Sequence, residues 1–352
     1  MPKFKILIYN ALYYNEIMQK NNEKNTVSFI VPTGIGAKIG GFAGDASSYA
    51  RKFAKHFNVI VNPNVVNAAL FSGITNNMIY CEGYFLGEFF ANNINLKKIN
   101  NHKIGVIFDR SINKDILNIH INTINAIKTV YDYDILPYVI TDEEVGVRFY
   151  KDESGGSFGD ILNSKTLIEA GLKLKSFGAT EICVICNFND DELDDDSDYI
   201  QGQGVDIVGG VEAIISHFMS KELQIMTVHA PAFSNVEIEK RIINPKSAAE
   251  YVTLTYLPCL FFGLQYAYKP VLTKDKNSIN VKDVKALILP YDALGSKLVL
   301  NALNNNVKVI AVKENTSCIN ATAKNLGLEN DIIEIPTYKE CLDYLLFGYN
   351  CC

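Results

Sequence analysis

Residues 27–45 read VSFIVPTGIGAKIGGFAGD. An apolar, β-branched run passes directly into a loop rich in glycine, and a helical pattern follows over residues 46–57. A strand, a glycine-rich loop and a helix in this order are typical of α/β proteins, in which the loop backbone approaches a bound anion. The stretch therefore predicts an α/β fold and a small-molecule site, but it does not indicate which ligand is bound.

The same alternation continues along the chain. β-branched runs at residues 59–61, 104–108, 181–186 and 307–312 are separated by segments with helical spacing of apolar residues. This alternation predicts mostly parallel sheets flanked by helices. No internal repeat is visible, which argues against a solenoid or a propeller.

Loop-like segments indicate how the chain is divided. Residues 1–25 are interpreted as an N-terminal extension, because they lack the cleavage site of a signal peptide. Residues 26–275 are predicted to form the main α/β domain with the glycine-rich loops. Residues 281–350 are predicted to form a smaller C-terminal subdomain, a flavodoxin-like layer on the main sheet. A single continuous domain is the alternative.

Composition excludes several classes of partner. The 352 residues carry a formal net charge of -6 without a basic cluster, so nucleic acid is not expected as a partner. The longest apolar stretch, residues 256–268, is too short to span a bilayer, so no membrane partner is expected. A homo-oligomer is a default expectation for a metabolic protein of this size.

The eight cysteines are too few for a disulfide scaffold, which favours reduced thiols and a cytoplasmic location. Cys183 and Cys186 form a CxxC pattern inside the run EICVICNF. If that run is a strand, the two side chains point to opposite faces and belong to the core. The acidic residues between 190 and 198 lack the pattern of a calcium loop and are interpreted as a solvated surface loop. No metal site is predicted.

The glycine-rich loop forms the first candidate binding site. Its amides can approach an oxyanion, and Asp45 stands where a helix N-cap is expected. Neither the dinucleotide fingerprint nor the P-loop pattern is complete, so the cofactor is left unknown. The alternative is a turn that packs the helix against the sheet. The ligand-binding candidates here are Thr33, Gly34, Gly36, Gly40, Gly41 and Asp45.

A second small-residue turn follows at residues 154–160, SGGSFGD. Ser154, Gly155 and Ser157 are candidates to bind a phosphate or carboxylate, or to belong to a flexible lid. A plain connection is the alternative.

The densest group of candidates is residues 201–217, QGQGVDIVGGVEAIISH. Gln203, Gly204 and Gly209 are predicted to bind ligand, and Asp206 and Glu212 are predicted to act in catalysis. His217 is five positions from Glu212, which is not the spacing of a metal-binding pair on a helix. Because apolar residues surround it in sequence, His217 is interpreted as a core histidine.

Further candidates follow strand ends, where ligands bind in open α/β sheets. Glu82 and His229 are candidate acids or bases. The alternatives are a carboxylate on a helix dipole for Glu82 and a structural hydrogen bond for His229. Asn315 and Thr316 are predicted to complete the ligand site, and Cys318 raises a nucleophile hypothesis.

Six segments together resemble a known family. IVPTGIGAKIGGFAGDA, YCEGY, SGGSFGD, GQGVDIVGGVEAIISH, VHAPA and KENTS occur in this order over about residues 29–318. In this respect the chain resembles the bacterial domain of unknown function 3326. The resemblance implies that these segments are important in members of the family. It implies no activity, fold or residue role.

The leading hypothesis is a cytoplasmic enzyme of small-molecule metabolism. It binds a phosphorylated or carboxylated substrate between the glycine-rich loops, and His229, Glu82, Asp206 and Glu212 carry out acid–base chemistry. One alternative is a non-catalytic protein that senses a metabolite or nucleotide. The other is a cysteine-dependent isomerase or hydrolase.

Overall fold

The computed structural model describes residues 25–188, 197–233 and 238–348. Apart from residue 25, the predicted N-terminal extension lies outside the described residues, and so does the acidic run except for Asp198. The strands of the described part are β1 (Thr26–Phe29), β2 (Asn58–Val61), β3 (Asn67–Ala68), β4 (Phe71–Ser72), β5 (Met78–Tyr80), β6 (Asn95–Lys98), β7 (Ile104–Phe108), β8 (Val139–Ile140), β9 (Val147–Lys151), β10 (Ser157–Ile161), β11 (Glu181–Phe188), β12 (Met226–Phe233), β13 (Tyr268–Val271), β14 (Ser278–Ile279), β15 (Val284–Pro290), β16 (Lys308–Val312) and β17 (Ile332–Ile335).

Helices connect most of these strands, as the alternating pattern predicts. They are α1 (Ser47–Phe53), α2 (Pro63–Val66), α3 (Gly83–Phe90), α4 (Lys114–Tyr131), α5 (Ser164–Ser176), α6 (Ser197–Ile200), α7 (Gly209–Leu223), α8 (Ala248–Tyr251), α9 (Leu257–Leu264), a 3-10 turn (Val281–Asp283), α10 (Lys297–Asn304), α11 (Ala323–Leu326) and α12 (Tyr338–Phe347). The predicted α/β class with mostly parallel sheets is confirmed.

Six parallel strands form the larger sheet, in the order β17-β16-β15-β1-β2-β5. The chain runs from β1 toward one edge through β2 and β5, and from β15 toward the other edge through β16 and β17. The direction of winding therefore reverses between β1 and β15. Loops that leave two such strands diverge and open a crevice at the carboxyl end of the sheet.

The predicted flavodoxin-like layer over residues 281–350 is not confirmed. Thr26 of β1 pairs with Val284 of β15, and the register continues to Phe29 and Ile288. The C-terminal strands therefore extend the sheet that begins with β1. The physical reason is that β1 is buried along its whole length, so both of its edges need a neighbouring strand to satisfy the backbone.

Four parallel strands form the second sheet, in the order β12-β11-β7-β8. Its central strand β11 carries the CxxC pattern. Cys183 packs into the core shared with the larger sheet, whereas Cys186 packs into the separate core under α5 and α7. The prediction that these two thiols point to opposite faces of a strand is confirmed.

One hydrophobic core joins the two sheets. Phe29 and Ile288 of the larger sheet belong to the same buried cluster as Phe108 and Ile185 of the smaller one. Helix α9 packs against β11 and β12 and also against β3 and β4, and most of its residues are buried. The side chains of this shared core hold the two main sheets together by close packing.

Candidate functional site

A cavity of about 720 Å³ opens at the point where the winding of the larger sheet reverses. Ile30 after β1 and Leu289 of β15 form its floor. Its walls come from the glycine-rich loop, from α3 and α7, from the carboxyl half of β12 and from the segment around α8 and α9. A cavity of this size and position is typical of small-molecule sites in α/β proteins.

Three carboxyl groups line one wall of this cavity. Asp206 precedes α7, Glu212 lies in the first turns of α7, and Glu250 lies in α8. Burial raises the pKa of Asp206 to about 7, and the charge of Glu212 adds to this effect. Burial also raises the pKa of Glu212 and of Glu250 to about 8. At neutral pH these groups are therefore protonated to a substantial extent, unlike ordinary surface carboxylates.

Main-chain and hydroxyl donors orient two of these carboxyl groups. Asp206 Oδ1 accepts a hydrogen bond of 3.1 Å from the amide of Val208, which places Asp206 at the start of α7. Glu250 Oε1 accepts bonds of 2.8 Å from the amide of Ala43 and from the hydroxyl of Tyr199. Glu250 thus connects the glycine-rich loop to Tyr199 of α6.

His229 holds the third carboxyl group. The amide of Cys186 donates to Nε2 of His229 at 3.3 Å, so this nitrogen carries no proton. The proton of the neutral ring is then on Nδ1, which lies 3.3 Å from Glu212 Oε1 and donates to it. Burial lowers the pKa of His229 to about 3. Uptake of a second proton would break the bond from Cys186, so the geometry suits His229 to orienting Glu212.

Glu82 and His217 lie together on another part of the cavity wall. Glu82 Oε2 accepts the amide of Tyr84 at 2.7 Å and caps α3. Its other oxygen lies 3.6 Å from Nδ1 of His217. The prediction that His217 is a core histidine is wrong, because its side chain is 54% exposed and lines the cavity. Ile215 and Phe218, which are close to it in sequence, pack instead into the core under α5 and α7.

Amides of the glycine-rich loop are bound by acceptors of the chain itself. The amide of Gly40 donates to Asp45 Oδ1 at 2.6 Å, and the amide of Ala43 donates to Glu250. The amide of Lys38 donates to the carbonyl of Thr316 at 2.8 Å. Of the candidates in this loop, Thr33 and Gly41 line the cavity. Gly34, Gly36, Gly40 and Asp45 are not part of its lining.

Asn315 supports this loop from below. It has no exposed surface, its Oδ1 accepts the amide of Ile39 at 2.9 Å, and its Nδ2 donates to the carbonyl of Ile39 and to the hydroxyl of Tyr338, both at 2.8 Å. Asn315 and Thr316 therefore lie under the glycine-rich loop and do not line the cavity.

The three small-residue loops predicted from sequence meet one another. The amide of Ser157 donates to the carbonyl of Gly34 at 2.7 Å, and the amide of Gly210 donates to Ser157 Oγ at 2.9 Å. A Cβ atom at Gly210 would lie 2.3 Å from the carbonyl oxygen of Ser157. Glycine is therefore needed here for close approach of backbones, and the contact lies outside the cavity lining.

The other loop candidates also lie outside the lining. Ser154 and Gly155 form the turn between β9 and β10, where the carboxylate of Asp152 accepts the amide of Ser154. The amide of Gln203 donates to the carbonyl of Asp198, and Gly204 has a left-handed backbone with φ of 84°. Gly209 packs beside Asp206.

Sequence reasoning missed several residues that line the cavity. Glu250 and Tyr199 have no motif around them, and Lys221 and Lys297 lie on exposed helix surfaces that carry no signal of a site. Within residues 25–188, 197–233 and 238–348, no group of three His, Cys, Asp or Glu side chains is placed to hold a metal ion. No helix in the described part of the chain is both long and apolar enough to cross a membrane.

Comparison with known proteins identifies a matching family model and a protein of similar sequence. The family model described as a protein of unknown function, DUF3326, matches residues 26–348. The chain is 34% identical over 327 residues to an uncharacterized lipoprotein of Synechococcus sp., and the match covers 91% of this chain and 89% of that protein. No solved structure matches the chain.

Proposed function

The chain belongs to the DUF3326 family, and we propose that it is an enzyme in which Glu212 exchanges a proton with a small polar metabolite bound in the cavity. One observation carries this proposal. Asp206, Glu212 and Glu250 line the same wall of a ligand-sized cavity, and the pKa of each lies near neutrality because of burial. Groups with such pKa values in a cleft are the usual candidates for general acid–base catalysis.

Glu212 is the proposed proton-exchanging group because it combines an orienting histidine with one free oxygen. Oε1 accepts the Nδ1 proton of His229, whereas Oε2 has no hydrogen bond among the described residues. A base that is oriented by a second side chain and keeps one atom for the substrate is a common catalytic arrangement. In this proposal His229 orients Glu212 and does not itself transfer the proton, and Glu82 lies on the wall beside His217.

The proposal retains an anionic group on the metabolite, a carboxylate or a phosphate, but assigns it to a different part of the cavity. Lys221 of α7 and Lys297 of α10 both line the cavity, and neither has an ion-pair partner in the described part of the chain. Because several amides of the glycine-rich loop are already bonded, these lysines are the better partners for an anion.

The cysteine-dependent alternative has no support in the geometry. Cys259 lines the cavity, but burial raises the pKa of its thiol to about 12. Burial also raises the pKa of Cys318 above its ordinary value. Since the thiolate is the nucleophile in such enzymes, neither group is activated for attack near neutral pH.

A cytoplasmic location is part of the proposal, and the six cysteines of the described residues support it because all are free thiols. The name of the Synechococcus relative favours a membrane location instead, since a lipoprotein is anchored to a membrane. Fractionation of cells that make the full chain distinguishes the two. Recovery in the membrane pellet after a high-salt wash would contradict the cytoplasmic assignment.

The enzyme proposal is tested with the full chain and a metabolite extract. Wild-type protein is incubated with the extract, and mass spectrometry identifies compounds that are consumed or formed. We expect Glu212→Gln to abolish the conversion, whereas Glu222→Gln, an exposed carboxylate on the same helix outside the cavity, leaves it intact.

Conversion that survives Glu212→Gln would contradict the assigned role of Glu212. A compound that binds and is recovered unchanged would instead identify the protein as a sensor. If no compound is consumed, the enzyme proposal fails.

A further inference from the structure

We infer that the carboxyl wall of the cavity binds a cationic nitrogen group of the ligand, a primary ammonium or a guanidinium. The inference deepens the proposed function, on which it rests for the identification of that ligand as the substrate. Together with the two lysines elsewhere on the lining, it assigns the substrate to the class of small metabolites that carry both a positive and a negative group.

The first argument is charge balance. Asp206, Glu212 and Glu250 approach one another closely enough for their charges to interact, and no lysine or arginine forms an ion pair with any of them among the described residues. His229, the basic side chain that bonds Glu212, is neutral. Carboxylates removed from water without a counter-charge are costly, and a ligand cation supplies the missing charge.

The second argument is the placement of the oxygen atoms. Glu212 and Glu250 each have Oε1 fixed by donors of the protein, His229 in one case and Ala43 with Tyr199 in the other. For both residues Oε2 has no hydrogen bond within the described part of the chain. Two oriented acceptors on one wall match the several N–H donors of an ammonium or a guanidinium.

The third argument is the aromatic lining, which is independent of the carboxyl groups. Phe42, Tyr199, Phe233 and Tyr256 all line the cavity. The rings of Phe42 and Tyr199 lie 4.7 Å apart, and the ammonium of Lys246 already lies 5.2 Å from the centre of the Phe42 ring. Aromatic rings beside carboxylates are a typical environment for organic cations.

A metal ion is a poorer occupant for this wall. No three acidic, histidine or cysteine side chains of the described residues are arranged to coordinate one. The cavity of about 720 Å³ is also in the size range of organic ligands. An organic cation fits both observations.

The test compares two probes of similar size, butylammonium and 1-butanol, on the full chain. Calorimetric titrations near pH 7 are run in two buffers with different heats of ionisation. We expect butylammonium to bind about tenfold more tightly than butanol, and to release protons from the carboxyl wall on binding. Glu250→Gln should remove most of this preference while Glu222→Gln keeps it.

Glutamine at position 250 keeps an oxygen acceptor for Ala43 and Tyr199, and Glu212→Gln provides a second variant if that one fails to fold. Equal binding of the two probes, absence of binding, or a preference for butylammonium that persists in both variants would overturn the inference. Displacement of butylammonium by Mg²⁺ alone would identify a metal site instead.

If butylammonium binds as expected but no extract compound is converted, the cation-binding inference is supported and the enzyme proposal fails. If a converted substrate has no cationic nitrogen, the inference fails and the enzyme proposal stands.

Discussion

Replacement of Glu212 by glutamine should make the protein more stable at neutral and alkaline pH. In the folded chain the pKa of Glu212 is about 8, compared with an ordinary value of 4.5. Between these pH values the folded state retains a proton that the unfolded chain has lost, so the free energy of unfolding decreases as pH rises through this range. Glutamine resembles the protonated side chain, accepts the same bond from His229 and does not ionise.

The size of the effect follows from the pKa difference. One pKa unit corresponds to 1.36 kcal/mol, so the stability of wild type relative to Glu212→Gln should fall by about 3 kcal/mol between pH 5 and pH 8. The charge of Glu212 also raises the pKa of Asp206, so its removal relieves a second group in the same direction.

Urea unfolding followed by tyrosine fluorescence measures this difference, because the chain has 19 tyrosines and no tryptophan. The Glu222→Gln variant, which removes an exposed carboxylate of the same helix outside the cavity, serves as the control. A wild-type minus Glu212→Gln difference that does not change between pH 5 and pH 8 would refute the argument, since it would mean that Glu212 ionises with its ordinary pKa in the folded protein.

Three further predictions concern the surroundings of the site. Gly210→Ala should prevent folding or lower the free energy of unfolding severely, because the added Cβ would lie 2.3 Å from a backbone oxygen. Gly87→Ala adds a Cβ with nothing within 4 Å and should raise the free energy of unfolding by about 0.5–1 kcal/mol in urea unfolding. Equal effects of the two substitutions would contradict the role of close packing at Gly210. Asn315→Ala should lower the free energy of unfolding by about 2–4 kcal/mol because it removes three buried hydrogen bonds, and a loss below about 0.5 kcal/mol would count against this support. Iodoacetamide near pH 7 should label the half-buried Cys318 before the buried Cys259, as measured by peptide mass spectrometry, and the reverse order would contradict the burial of Cys259.

The class of fold could be predicted because local patterns carry it. Residues 27–31 and 181–186 are short β-branched runs, and helical spacing separates them from the runs that follow. The order of strands could not be predicted, since an apolar run does not indicate its neighbour. The pairing of Thr26 with Val284 depends on tertiary packing over most of the chain.

The candidate site was predictable only in part, for a related reason. Asp206 and Glu212 have several glycines close to them in the sequence, and this local combination of glycine and carboxylate residues predicts a site. Glu250 lies in the sequence SAAEY, which contains no glycine. It reaches the cavity only through the folding of distant segments. The roles of the two nitrogens of His229 depend on the amide of Cys186, which no sequence pattern identifies.

The pairing of β1 with β15 also matters for synthesis on the ribosome. Thr26 leaves the ribosome long before Val284, so the strand at the centre of the finished sheet has an open edge while most of the polypeptide is still being made. Folding of such distant pairs is slow, and exposed edges promote aggregation during this interval. A nascent chain that stops before β15 therefore lacks one side of its central strand, and a chaperone that shields this edge should increase the yield of native protein.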